Sequence, residues 1–69
     1  MNPPGVHPSD YAFTVEAQGT PWDVYRLWKD GVRGMVAFRK VGEQFEVGFI
    51  RVGEFTADEV AEALRQSVS

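Results

Sequence analysis

Residues 25–38 read YRLWKDGVRGMVAF, and the four at their centre, Lys29-Asp30-Gly31-Val32, decide the fold. Asp-Gly supplies the two positive-φ positions of a two-residue type I′ turn, so the flanking segments are the arms of an antiparallel hairpin. The turn sets the pairing: Lys29 opposite Val32, Leu27 opposite Gly34, Tyr25 opposite Val36, and Asp23 opposite Phe38. Toward the C-terminus, Gly42-Glu43 has glycine first, as a type II′ turn requires, and sets Val41 against Gln44. Phe38 then meets Val47, and Val36 meets Phe49. Toward the N-terminus, Tyr11, Phe13, Val15 and Ala17 alternate with Ala12, Thr14 and Glu16, the period of a half-buried strand. A five-residue loop, Gln18 to Trp22, sets Ala17 opposite Asp23 and Phe13 against Leu27.

In this register one face of the sheet carries Tyr11, Phe13, Val15, Tyr25, Leu27, Val36, Phe38, Phe45, Val47 and Phe49, and it needs a cover. Phe55-Thr56-Ala57-Asp58-Glu59-Val60 announces one. Thr56 caps a helix, Glu59 completes a capping box, and Phe55 staples toward Val60. The helix runs from about Ala57 to Ser67, with Val60, Leu64 and Val68 as its apolar stripe. The expected fold is therefore α+β: a four-stranded antiparallel meander (ββββα) with one C-terminal amphipathic helix packed on that face. Residues 11–69 make one domain. Residues 1–10, MNPPGVHPSD, have three prolines and no periodicity and are expected to be a flexible tail.

The opposite face then carries Val24, Arg26 and Trp28, then Arg33, Met35, Ala37 and Arg39, then Glu46, Gly48, Ile50 and Val52. Arg33 lies opposite Trp28 and stacks on it, Arg39 pairs with Glu46, and Met35 lies between Arg26 and Ile50. Ala37 and Gly48 leave a shallow depression. Apolar groups rimmed by charge mark an interaction site, so the candidate binding residues are Arg26, Trp28, Arg33, Met35, Arg39 and Ile50. Arg51 falls on the core face and is expected to pair with Glu59 or Glu62.

What binds there is bounded by composition. A chain of 69 residues forms a small core, and small domains draw extra stability from disulfides, a metal or association. There is no cysteine and one histidine, His7, so neither a disulfide nor an ordinary zinc site is available, and no cofactor motif is present. Self-association remains, and a homodimer or another protein partner is the leading expectation. The alternative is single-stranded nucleic acid, held by Arg26, Trp28, Arg33 and Arg39. The charge balance opposes it. Asp23 to Val52 is +2, but the whole chain is −3, the wrong sign for a non-specific nucleic-acid binder.

Catalysis has no constellation to rest on. His7 stands in the proline-rich segment, Ser9, Ser67 and Ser69 lack an evident base, and Asp58, Glu59 and Glu62 are explained by the first turns of the helix. The expectation is a non-catalytic module without a small-molecule substrate. No apolar run is long enough for a membrane span and no signal peptide is evident, so a cytoplasmic setting is expected.

Overall fold

Pro3 and residues 5–66 are described by the computed structural model, which has four antiparallel strands in one open sheet and a C-terminal helix packed on it. The elements are β1 (Tyr11–Ala17), β2 (Thr20–Lys29), β3 (Val32–Val41), β4 (Gln44–Val52) and α1 (Ala57–Gln66), with strand order β1-β2-β3-β4. Met1, Asn2 and Pro4 lie outside the described residues, as do Ser67 and Val68 of the expected helix.

The central hairpin forms as its turn chemistry requires. Asp30 and Gly31 take φ of 54° and 77°, and the pairing runs from Lys29 opposite Val32 to Asp23 opposite Phe38. At the next turn Gly42 takes φ of 63° and Val41 faces Gln44.

Two features depart from the expected register. The first connection is a two-residue turn, Gln18-Gly19, with φ of 59° and 70°, so Ala17 faces Thr20 and Phe13 faces Val24 rather than Leu27. Pro21 is tolerated inside β2 for a geometric reason. Next to a two-residue turn Ala17 and Thr20 form the hydrogen-bonded pair, so the nitrogen of Pro21 points away from β1, to the side where pairing with β3 begins only at Asp23. The second feature is a pair of bulges, one in each edge strand. Ala12 is the extra residue of β1 and Gly48 that of β4. Beyond Gly48 the sides exchange: Phe49 faces Ala37, Ile50 faces Val36, and Val52 faces Gly34.

These shifts bear on the side the helix takes, which is opposite to the expected one. Val15, Ala17, Trp22, Val24, Met35, Ala37 and Phe49 form one buried cluster with Val60, Ala61 and Leu64 of α1. The cause is steric. A helix approaches a sheet closely where side chains are small, and Ala17, Ala37 and Gly48 provide that floor. A Cβ on Gly48 would stand 2.8 Å from Leu64 Cδ2 and closer still to the Trp22 ring. Trp22 is buried across this floor, and its Nε1–H donates to the Ala17 carbonyl at 3.1 Å. The aromatic residues of the other face would hold a helix further away.

Both ends of α1 are tied. Thr56 N–H donates to Glu59 Oε1 at 2.9 Å and Glu59 N–H to Thr56 Oγ1 at 3.2 Å, the reciprocal capping box. Near the other end, Gln18 Nε2 donates to the Leu64 carbonyl at 2.7 Å. The segment expected to be a flexible tail includes a 3-10 turn, Pro8–Asp10, and Val6 packs against Tyr25, Val36 and Phe38.

Candidate interaction face

The six candidate residues from the sequence do not share one face. Arg26, Trp28, Arg33, Met35 and Arg39 project to the side that carries α1, and Ile50 projects to the other, because the Gly48 bulge lies between Glu46 and Ile50. Met35 is 0% exposed within the main core, and its sulfur accepts the Phe55 N–H at 3.1 Å. Its neighbours are Arg26 and Arg51, not Arg26 and Ile50.

The expected pairings among the others do form. Arg33 lies 4.8 Å over the Trp28 ring, and Arg39 Nη2 is 2.7 Å from Glu46 Oε1. Arg39 also lies 5.2 Å over Trp22, and Arg26 Nε is 3.4 Å from Glu54 Oε1. These arginines thus rim the helix-covered core. Among the described residues Arg51 has no ion pair with Glu59 or Glu62. Its guanidinium lies 5.5 Å over Phe49 instead, the bulge having moved both residues to the side of Met35 and Ala37.

The face away from α1 is built from seven of the ten residues expected to be core, Phe13, Val15 and Phe49 lying instead on the helix side. Tyr11, Tyr25, Phe38 and Phe45 run diagonally across all four strands, with successive ring centroids 5.7, 6.1 and 6.3 Å apart in edge-to-face contacts. Tyr25 at 8% and Phe38 at 5% exposure are buried with Val36 in a second small cluster, flanked by Val6, Leu27 and Phe45. Burial, with smaller contributions from Asp23 and Tyr11, raises the Tyr25 phenol above its ordinary value. At the edge, the Tyr11 hydroxyl bonds Thr14 Oγ1, which donates to Asp23 Oδ1 at 3.0 Å.

Beyond this cluster the face is apolar and uncovered. Ile50 is 64% and Val52 74% exposed, and Val32 and Val47 are exposed beside them. Gly34, which has no side chain, leaves a depression of about 320 Å³ among Leu27, Val32, Ile50 and Val52. A Cβ there would stand 2.8 Å from the Arg51 carbonyl oxygen, so close strand packing as well as the depression depends on glycine. Lys29 and Lys40 mark the two ends of the face.

Chemistry elsewhere is sparse. Ser9 does have a neighbour that the sequence did not reveal: its Oγ is 2.8 Å from His7 Nδ1. The same nitrogen accepts the Ser9 N–H at 3.2 Å, so His7 caps the 3-10 turn, and both residues are exposed. A groove of about 740 Å³ between α1 and β4 has Phe49 and Phe55 as its floor and Asp58, Glu59 and Glu62 along one wall. Glu59 serves the capping box and Glu62 pairs with Arg65 and Gln66. Among the described residues no group of three or more His, Cys, Asp or Glu side chains is placed to hold a metal, and no helix is long and apolar enough to cross a membrane.

No family model, curated protein or solved structure matches this chain.

Proposed function

We propose that the protein is a small non-catalytic interaction module that docks on a protein partner, in the cytoplasm, through the open face of its sheet. The observation that carries this reading is the uncovered strip of Val32, Val47, Ile50 and Val52 on the side away from α1. A single sheet face left in water loses the stabilisation that burial of its apolar area would contribute, and contiguous apolar surface on a small protein commonly marks a docking site.

Mode of contact follows from the edges. A sheet offers a partner either its face or its outer strands, and bulges interrupt pairing along edge strands. Both edge strands here are bulged, at Ala12 and at Gly48, which disfavours strand addition and favours the face. Single-stranded nucleic acid is the poorer fit to this face, because Arg26, Arg33 and Arg39 lie on the helix side, two of them paired with carboxylates.

A photo-crosslinking residue at Ile50, compared with one at the exposed Asp58 of α1, tests the reading in expressing cells. It expects protein adducts from position 50 that Val52→Lys abolishes. Adducts from position 58 alone, or none from either, would overturn it.

A further inference from the structure

We propose that residues 5–7 form a displaceable strap, which covers the centre of the open face through Val6, and that the docking partner binds in competition with it. This deepens, and rests on, the reading of the open face as the docking surface.

Position is the first observation. Val6 packs on Tyr25, Val36 and Phe38, whose exposures of 8%, 2% and 5% contrast with 64% at Ile50 and 50% at Val47. The two groups belong to one surface. Val36 is paired with Ile50 and Phe38 with Val47, and residues directly opposite on neighbouring strands share a face. Leu27 borders both the cluster under Val6 and the depression at Gly34. The covered centre and the bare strip are therefore continuous, and what separates them is the chain's own N-terminal segment.

Attachment is the second. Among the described residues, Gly5, Val6 and His7 form no hydrogen bond with any strand. The bonds near them close on the segment itself: Asp10 N–H donates to the His7 carbonyl at 2.9 Å, and His7 Nδ1 accepts the Ser9 N–H at 3.2 Å and lies 2.8 Å from Ser9 Oγ. Pro3, Pro4 and Pro8 have no N–H to offer a ladder. Pro3 is buried as Val6 is half-buried, so apolar contact holds the segment down.

The third observation is how the segment is joined to the sheet. Gly5 takes φ of 81°, and a Cβ there would meet nothing within 4 Å, so glycine serves the course of the backbone rather than packing. On the other side the 3-10 turn, Pro8–Asp10, leads into β1. Val6 can thus leave the face by rotation about this turn, with every strand pair intact. Its release frees the backbone of the segment, and a partner that presents an apolar side chain to Tyr25, Val36 and Phe38 replaces the contact that is lost.

Thiol labelling tests the strap in the full chain, because the sequence has no cysteine of its own. Val36→Cys places a thiol under the strap and Val24→Cys places one under α1, at two valines that are both buried. Circular dichroism matching the wild type shows that each variant keeps the fold. With dithiobisnitrobenzoate as the probe, Val36→Cys is expected to react at least about tenfold faster than Val24→Cys. Its rate should barely change in low urea, since release of three residues exposes little surface, whereas the Val24→Cys rate should climb with global unfolding. Val6→Gly should speed labelling at position 36 several-fold, and should raise the yield of Val52-dependent adducts from the crosslinker at position 50 several-fold, because no population is lost to the closed form. Labelling at position 36 with the rate and urea dependence of position 24 would make Val6 a fixed part of the core and overturn the strap, while adducts at position 50 would leave the docking face standing. Adducts unchanged or reduced by Val6→Gly would overturn the competition. Fast labelling at position 36 with no adducts at position 50 would remove the docking reading, and the competition with it.

Discussion

Gly48→Ala adds one methyl group, yet it is expected to be among the most damaging changes available to this chain. The new Cβ would stand 2.8 Å from Leu64 Cδ2 and closer to the six-membered ring of Trp22. Neither neighbour is free to yield. Trp22 is buried, held by its Nε1 bond to the Ala17 carbonyl and flanked by the Arg39 guanidinium, while Leu64 is fully buried in the helix. Overpacking of this kind costs about 1–3 kcal/mol, and displacing Trp22 far enough to lose its hydrogen bond adds about 1 kcal/mol. A total of about 2–4 kcal/mol corresponds to a drop in Tm of about 15–30 °C for a domain of this size. Thermal melts followed by circular dichroism, with urea titration for the free energy, measure it. If Gly48 instead lay in a shallow depression on an exposed face, the same substitution would cost little. A loss below about 0.5 kcal/mol would therefore refute both the bulge at Gly48 and the seating of the helix over it.

The same division of faces makes further predictions. Met35→Ala should lose about 2–5 kcal/mol in urea unfolding, whereas Ile50→Ala, measured on the monomer, should stay within about 0.5 kcal/mol; the reverse order would invert the faces. Thr56→Ala removes the acceptor of the Glu59 N–H and should cost about 1 kcal/mol with a matching fall in helical signal on heating. The native pKa of Tyr25 is raised, so its neutral form is favoured in the fold; the resulting stability is complete below the ordinary phenol value near 10 and is lost as pH climbs from there through the higher native value. Tyr25→Phe should accordingly show a shallower decline in stability above pH 10 than the wild type, and equal slopes would remove burial of this phenol from the account.

Turn chemistry made much of the architecture legible. Asp30-Gly31 specified seven correct pairs between β2 and β3, and Thr56 with Glu59 specified the start of the helix. Gln18-Gly19 escaped notice because glutamine lacks the short side chain that usually marks a left-handed turn position, and Pro21 obscured the start of β2. A bulge leaves a fainter trace. Gly48 reads as an ordinary strand residue until its contacts are known, and a one-residue shift moves Phe49, Ile50 and Arg51 to the opposite sides.

The choice of face failed for a different reason. Both faces are apolar enough to be a core, and bulk alone favoured Tyr25, Phe38 and Phe45. The informative signal was smallness: Ala17, Ala37 and Gly48 stand together on one face, and a helix needs that room. Ile50 is exposed, as are Arg26, Trp28 and Arg33, but it shares no face with them. The packing of Val6 onto the aromatic cluster had no sequence signal, since one valine among prolines has no period.

The central claim is that α1 covers the Val24–Met35–Ala37 side and leaves Val47, Ile50 and Val52, on the other side, exposed. Nuclear Overhauser contacts from methyl groups test it most directly. Strong contacts from Val24 and Met35 to Val60 and Leu64 of the same molecule, with none from Ile50 or Val52 to the helix, are the expected result. Contacts from Val36 or Phe38 to Val60 and Leu64 would contradict it and return the open face to the side bearing the arginines.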